Sequence, residues 1–180
     1  MNAALVAKLR ARFGRSKDSK GLLRYLHNKS ETKFVASYLN GLETGIRDLH
    51  FYLTLWRGIK TLDKHHRIAM QRVLGTEIDL QNILWIYRLK KYYGISGDTT
   101  YGYLVPVRYR LPADIFSRII ACKDITTMQS ELSTTIYHNV FKNFTNAEIC
   151  LINAVKARYL AESHKSYIAL LCQYLYEVYR

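Results

Sequence analysis

Two polar residues, Asp79 and Asn82, lie inside or bordering the apolar face of a predicted helix, where they could support either chemistry or packing. On a helical wheel, Asn82 lies among Ile78, Trp85 and Leu89, and Asp79 lies one turn earlier. A buried carboxyl or amide group must be hydrogen-bonded to avoid a desolvation cost of about 1–3 kcal/mol. Because one Asp and one Asn supply no nucleophile, base and orienting group, we predict that both bind an adjoining backbone turn.

The other residue types that carry chemistry are scattered. The three cysteines are odd in number and widely spaced, and the histidines lack metal-ligand spacing, so we interpret the histidines as solvated or capping residues. The cysteines are Cys122, Cys150 and Cys172, and the histidines that we interpret in this way are His50, His65, His66, His138 and His164. No glycine-rich loop resembles a phosphate cradle. We therefore predict no catalytic residue, no metal and no cofactor, and a reducing compartment.

The composition indicates an all-α protein. The chain has 180 residues, of which 49% are hydrophobic, with only two Pro and nine Gly. This composition argues against disorder and leaves room for long helices. No apolar stretch approaches the roughly 20 residues that a membrane span requires.

A net charge of +13 makes nucleic acid, anionic lipid and acidic proteins candidate partners. The basic residues are dispersed, with no run of five or six. Fifteen tyrosines among these cations could bind single-stranded nucleic acid, which is the alternative function. Five tyrosines recur with Leu and Ile at helical spacing, which favours core positions instead. They are Tyr38, Tyr52, Tyr87, Tyr159 and Tyr174.

The first half of the chain shows repeated helical patterns. Helices are predicted over residues 3–13, over Leu22–His27 and along a stripe from Phe34 to Ile59 that Gly41 or Gly45 could break. A further helix follows Asp63 and is predicted to stop at Gly75, where Thr76 opens a second helix through a Thr76-x-x-Asp79 capping box.

The second half begins with that helix, which is predicted to end at Gly94. Residues 97–104 are predicted to form one short helix, and VPVRYRLP is predicted to be an extended connector, because each proline disfavours helix at the preceding residue. Pro112 is predicted at the first helical position before Ala113–Ala121, and Asp124 or Thr126 caps a helix to about Leu132. Residues 146–180 form two helices separated near 163–166.

The helix from Thr76 to Gly94 carries apolar residues on opposite faces. Ile78, Trp85 and Leu89 share one face, whereas Leu80, Ile83, Leu84 and Tyr87 occupy much of the other. A helix with two apolar faces needs neighbours on both sides. We predict that it is the central helix of a bundle.

The segment GTEIDLQNILWIYRLKKYYGIS, followed by YGYLVPVRYRL, resembles the signature of the C-subunit family of V-type and A-type ATPases, whose eukaryotic counterpart is the d-subunit. Family members carry a glycine, an I-D-L-x-N turn, an aromatic helix ending in R-x-K-K-Y-Y, and a proline-containing connector. The matching structural signature consists of Gly75, Asp79, Asn82, Trp85, Arg88, Lys90, Lys91, Tyr93 and Pro106. FYLTLWRGI is similar to the aromatic helix that precedes this signature in the family.

The resemblance extends from about Leu5 to the end and corresponds to the later half of a family chain, closest to bacterial V/A-type members. It implies a multi-helix bundle forming one or two lobes of a funnel with pseudo-threefold symmetry, within a single helical region 1–180 with possible lobes 1–111 and 112–180. A shortened paralogue, a gene fragment and a split gene remain open.

The family role would be non-catalytic and structural, coupling the central stalk to the membrane rotor ring in proton or sodium ion transport. It implies other V/A-type ATPase subunits as partners, no cofactor, no membrane span, and a peripheral position on the cytoplasmic face. Nucleic acid is not expected as a partner under this interpretation.

Overall fold

A computed structural model describes residues 26, 28–45, 48–95, 97–142 and 144–179. Their secondary structure is helical, with no strand among them, which confirms the predicted all-α class. The predicted helices over 3–13 and Leu22–His27 fall outside these residues, apart from Leu26. No helix in the described ranges is both long and apolar enough to cross a bilayer.

Helices α1 (Lys29–Thr44) and α2 (Leu49–Ile59) replace the single stripe predicted from Phe34 to Ile59. The break is at Gly45, whose left-handed φ of 69° ends α1. Gly41 instead lies inside α1, where an added Cβ would overlap the Phe51 ring. The two glycines therefore serve different purposes, one ending a helix and one admitting a ring.

Helix α3 (Lys64–Tyr93) is continuous over 30 residues, so the prediction of two helices meeting at Gly75 is wrong. The predicted capping box is also wrong, because Thr76 and Asp79 are both inside the helix. All six residues from 75 to 80 are buried, and six consecutive residues point in every direction around a helix. The prediction of a helix covered on both sides is confirmed, and α3 ends before Gly94 as expected.

The later elements follow the predicted order. Helix α4 spans Asp98–Tyr101, α5 spans Ala113–Ala121 and α6 spans Ile125–Ser133, with a non-helical connector at 105–112. Pro112 is the N-cap of α5 rather than its first helical residue, because its ψ of 143° is extended. Asp124 caps α6 by accepting a hydrogen bond from the Thr127 N–H at 2.7 Å.

A 3-10 turn at Phe144–Asn146 precedes α7 (Ala147–Ser163) and α8 (Tyr167–Val178). The predicted interruption near 163–166 is confirmed. Ser166 begins α8 by accepting a hydrogen bond from the Ala169 N–H at 3.2 Å.

The chain divides into two compact units. Unit 1 comprises residues 1–74 and 156–180, and unit 2 comprises residues 75–155. These units do not coincide with the suggested lobes 1–111 and 112–180, and that division stays a prediction. In unit 1 the two chain segments are joined by a buried hydrogen bond of 2.5 Å between the hydroxyls of Tyr38 and Tyr159.

Candidate functional site

The Asp79 side chain binds the connector of unit 2 through both carboxyl oxygens. It is fully buried and accepts hydrogen bonds from the backbone N–H groups of Tyr109 at 2.9 Å, Arg110 at 2.7 Å and Leu111 at 3.1 Å. The Tyr137 hydroxyl donates a fourth bond at 2.7 Å. Three successive N–H groups of a non-helical segment thus find their acceptor in one side chain.

Asn82, one turn further along α3, binds the start of the same connector. Its Oδ1 accepts from the Val105 N–H at 2.9 Å, and its Nδ2 donates to the Val105 carbonyl at 2.9 Å. Nδ2 also lies 3.4 Å from the Val107 carbonyl. Pro106, which has no N–H to satisfy, stands between these residues. The prediction that Asp79 and Asn82 bind a neighbouring backbone turn is confirmed.

Gly75 allows the connector to approach α3 closely. A Cβ at this position would lie 2.7 Å from Tyr109 Cβ and closer still to the Tyr109 ring. Tyr109 is also one of the residues whose N–H binds Asp79. Local sequence rules interpret Gly75 as a helix stop. In the structure Gly75 lies inside an unbroken helix, where its lack of a side chain lets Tyr109 pack against α3. We define the connector clamp as Gly75, Asp79 and Asn82 together with residues 105–111.

Lys90 extends from the last turns of α3 to the end of α5. Its Nζ donates to the Ile120 carbonyl at 2.6 Å and to the Cys122 carbonyl. A cation at the carbonyl end of a helix is favoured by the helix dipole. Burial lowers the pKa of Lys90 below its usual value, with Cys122 and Asp124 opposing this shift. Burial likewise raises the pKa of the Cys122 thiol.

The remaining signature residues lie nearer the surface. Trp85 is half-buried, and Arg88, whose side chain is 40% exposed, forms an ion pair with Glu148, whose side chain is 62% exposed. The Lys91 ammonium donates to the Tyr87 hydroxyl at 2.6 Å, and this bond raises the pKa of Lys91. Tyr93 is 71% exposed. The structure thus gathers Gly75, Asp79, Asn82 and Pro106 at the connector clamp, whereas Arg88, Lys91 and Tyr93 are not part of it.

The contacts of two residues, Tyr137 and His66, were not predicted from the sequence. Tyr137 donates to Asp79 from 58 residues away, and no local pattern marks it. His66, interpreted as solvated or capping, is instead buried, with its Nδ1 2.9 Å from the Ser166 hydroxyl and its ring 4.4 Å from that of Tyr167. The described residues contain no group of three or more His, Cys, Asp or Glu side chains that could hold a metal ion.

The buried groups of the connector clamp hold a backbone segment in place. Its two polar side chains have their hydrogen-bonding groups engaged by main-chain partners, an arrangement that stiffens the segment. The arrangement favours a structural role for these residues.

Comparison with known proteins gave one match. The family model described as ATP synthase (C/AC39) subunit matches residues 15–180. No curated protein and no solved structure matched the chain.

Proposed function

The chain belongs to the ATP synthase (C/AC39) subunit family, and from that premise we propose that it couples the central stalk of a rotary V/A-type ATPase to the membrane rotor ring. In this proposal the chain is non-catalytic and peripheral, and it lies on the cytoplasmic face. It transmits rotation during proton or sodium ion transport. Its partners are the stalk subunits and the rotor ring.

The connector clamp is the observation that carries this proposal. A part that transmits torque must resist bending, which requires dense packing and fixed loops. Helix α3, with 30 residues, is about 45 Å long, and two of its buried side chains bind the backbone of the connector at both ends. Because the connector is bonded to α3 at both of its ends, it helps the helix to resist bending.

Exposed tyrosines favour the alternative function of binding single-stranded nucleic acid. Tyr92, Tyr93, Tyr101 and Tyr103 are 45–71% exposed, and Lys91 lies beside the first of them. Bases can stack on such rings. Against this alternative, the five tyrosines predicted as core residues are all buried, at 6% exposure or less.

Binding experiments separate the two functions. The purified chain is mixed with the stalk subunits and rotor ring, and separately with single-stranded nucleic acid at physiological salt. Stable association with stalk or ring supports the coupling function. Nucleic-acid binding that weakens steeply with salt, without any association with stalk or ring, contradicts it.

A pair of variants tests the role of the connector clamp in assembly. We expect Asn82→Leu to weaken association with stalk and ring while ATP hydrolysis by the separated catalytic head is unchanged. Asn153→Leu, an exposed position on α7, is the matched control and should retain association. Equal association of the wild type and Asn82→Leu would argue against the proposed role of the connector clamp.

A further inference from the structure

A cavity of about 300 Å³ lies between α1 and α2 in unit 1. Lys33 and Ser30 line it from α1, and Arg57 and Thr54 line it from α2. Its volume is at the lower end of the range for small-molecule sites. No carboxyl group lines the cavity, so its charged residues are all cations.

The hydrogen-bond donors around this cavity are uncommitted within the described part of the chain. Neither Lys33 nor Arg57 forms a salt bridge there, and the hydroxyls of Ser30 and Thr54 form no hydrogen bond there. Two other lining hydroxyls are already engaged, since Ser37 donates to the Lys33 carbonyl and Thr61 to the Gly58 carbonyl. The site thus offers two cations and two hydroxyl donors.

The apolar lining of the cavity comes from Phe34 and Leu55, which are 2% and 1% exposed. Gly58 faces Phe34, where an added Cβ would lie 3.2 Å from the ring. Both apolar side chains are thus already covered, and they form the floor of the cavity beneath its polar groups.

The charge distribution of the chain favours an anion in unit 1. The described residues of unit 1 contain ten Lys or Arg and six Asp or Glu, a net charge of +4, whereas residues 75–155 contain eight and seven, a net charge of +1. Such a charge raises the local concentration of anions and their association rate.

We propose that the α1–α2 cavity binds a phosphate monoester. A dianionic phosphate balances the charges of Lys33 and Arg57, and its oxygens accept hydrogen bonds from both cations and both free hydroxyls. A lipid headgroup and a soluble organic phosphate share this chemistry. This proposal does not depend on the coupling function.

Isothermal titration calorimetry of the full chain with hexyl phosphate tests the site. We expect saturable binding, because the two cations and two hydroxyls of the cavity can all bind the phosphate group. Lys33→Gln/Arg57→Gln should weaken binding about tenfold or more, since each cation supplies a charge-assisted hydrogen bond to the phosphate.

The matched control is Lys64→Gln/Lys156→Gln, which removes two exposed unit 1 cations that do not line the cavity. The control should bind as the wild type does. Equal weakening in both double variants, or no binding of hexyl phosphate by the wild type, overturns the proposal. Circular dichroism of both variants checks that the fold is retained.

Vesicles distinguish the two sources of the phosphate. If the ligand is a lipid, the chain should sediment with phosphatidylcholine vesicles that contain phosphatidic acid. Lys33→Gln/Arg57→Gln should then reduce the fraction of the chain that sediments with the vesicles more than the control variant does. If the chain binds hexyl phosphate but the two double variants sediment equally with vesicles, the ligand is a soluble organic phosphate.

Discussion

Asp79 accepts hydrogen bonds from groups that are 30 to 58 residues away along the chain. It replaces the partner that a neighbouring strand or helix would normally supply to the N–H groups of residues 109–111. Gly75 belongs to the same contact because it admits Tyr109 against α3. At the scale of single residues, the stability of unit 2 therefore depends on two positions four residues apart on one helix.

Asp79→Ala should lower the free energy of unfolding by about 3 kcal/mol, the upper end of the cost of a buried donor left without its acceptor. Thermal unfolding followed by circular dichroism measures the change. Asp114→Ala is the control, because its side chain is 66% exposed and should have little effect. Equal melting of the two variants would exclude a fastening role for Asp79.

Gly75→Ala should destabilise the protein by about 1–3 kcal/mol, the usual cost of overpacking. The sign of this change in stability tests the contact with Tyr109, because the same substitution in an unobstructed helix would stabilise the helix by up to about 1 kcal/mol. In the background Tyr109→Gly, which removes the Tyr109 Cβ as well as the ring, the cost of Gly75→Ala should largely disappear. Urea unfolding of the four proteins in this cycle gives the coupling, and additive effects would contradict the contact.

Helix ends show how single side chains act at the scale of an element. Asn28, Asp48, Asp124 and Ser166 each accept a hydrogen bond from a backbone N–H in the first turn of a helix. These caps satisfy donors that a helix cannot bond internally. Each of these four helix starts is capped by one side chain, which a substitution can probe.

Asp124→Asn should change the acid sensitivity of the protein more than its stability at neutral pH. Hydrogen bonds from Thr127 lower the pKa of Asp124 below 3.8 in the folded state. Its stabilising effect is therefore present above pH 3.8 and is lost as the pH falls through the lower folded pKa. Asparagine caps a helix about as well but does not titrate in this range. As the pH is lowered through this range, the melting temperature should fall less steeply for the variant than for the wild type. Equal slopes of melting temperature against pH would refute the expectation.

At the scale of the molecule, unit 1 is assembled from both ends of the chain. The hydrogen bond between Tyr38 and Tyr159 spans 121 residues, and Tyr179 bonds Glu43 at 3.1 Å across 136. Such contacts close long loops, which favours cooperative unfolding of the two segments.

A double-mutant cycle of Tyr38→Phe and Tyr159→Phe should give a coupling energy of about 0.5–1.5 kcal/mol, the usual net value of one hydrogen bond. Chemical denaturation supplies the four free energies. Tyr174→Phe, another buried tyrosine, serves as the control and should be additive with Tyr38→Phe. A coupling energy near zero for the first pair would show that the bond does not contribute.

Local sequence by itself determined the helical class and most helix ends. Glycine at Gly45 and Gly94 and the caps Asp124 and Ser166 act within one turn of chain, so their effects are visible in the pattern. The polar residues on an apolar face also predicted that Asp79 and Asn82 need backbone partners.

Tertiary structure alone decided what those partners are and how Gly75 is used. Gly75 satisfies the local rule for a helix stop, yet α3 continues through it, because burial of residues 75–80 and the approach of Tyr109 outweigh the weak helix propensity of glycine. The Tyr137 contact with Asp79 could not be predicted either. It joins positions with no shared periodicity, and only the packed unit 2 brings them within 2.7 Å.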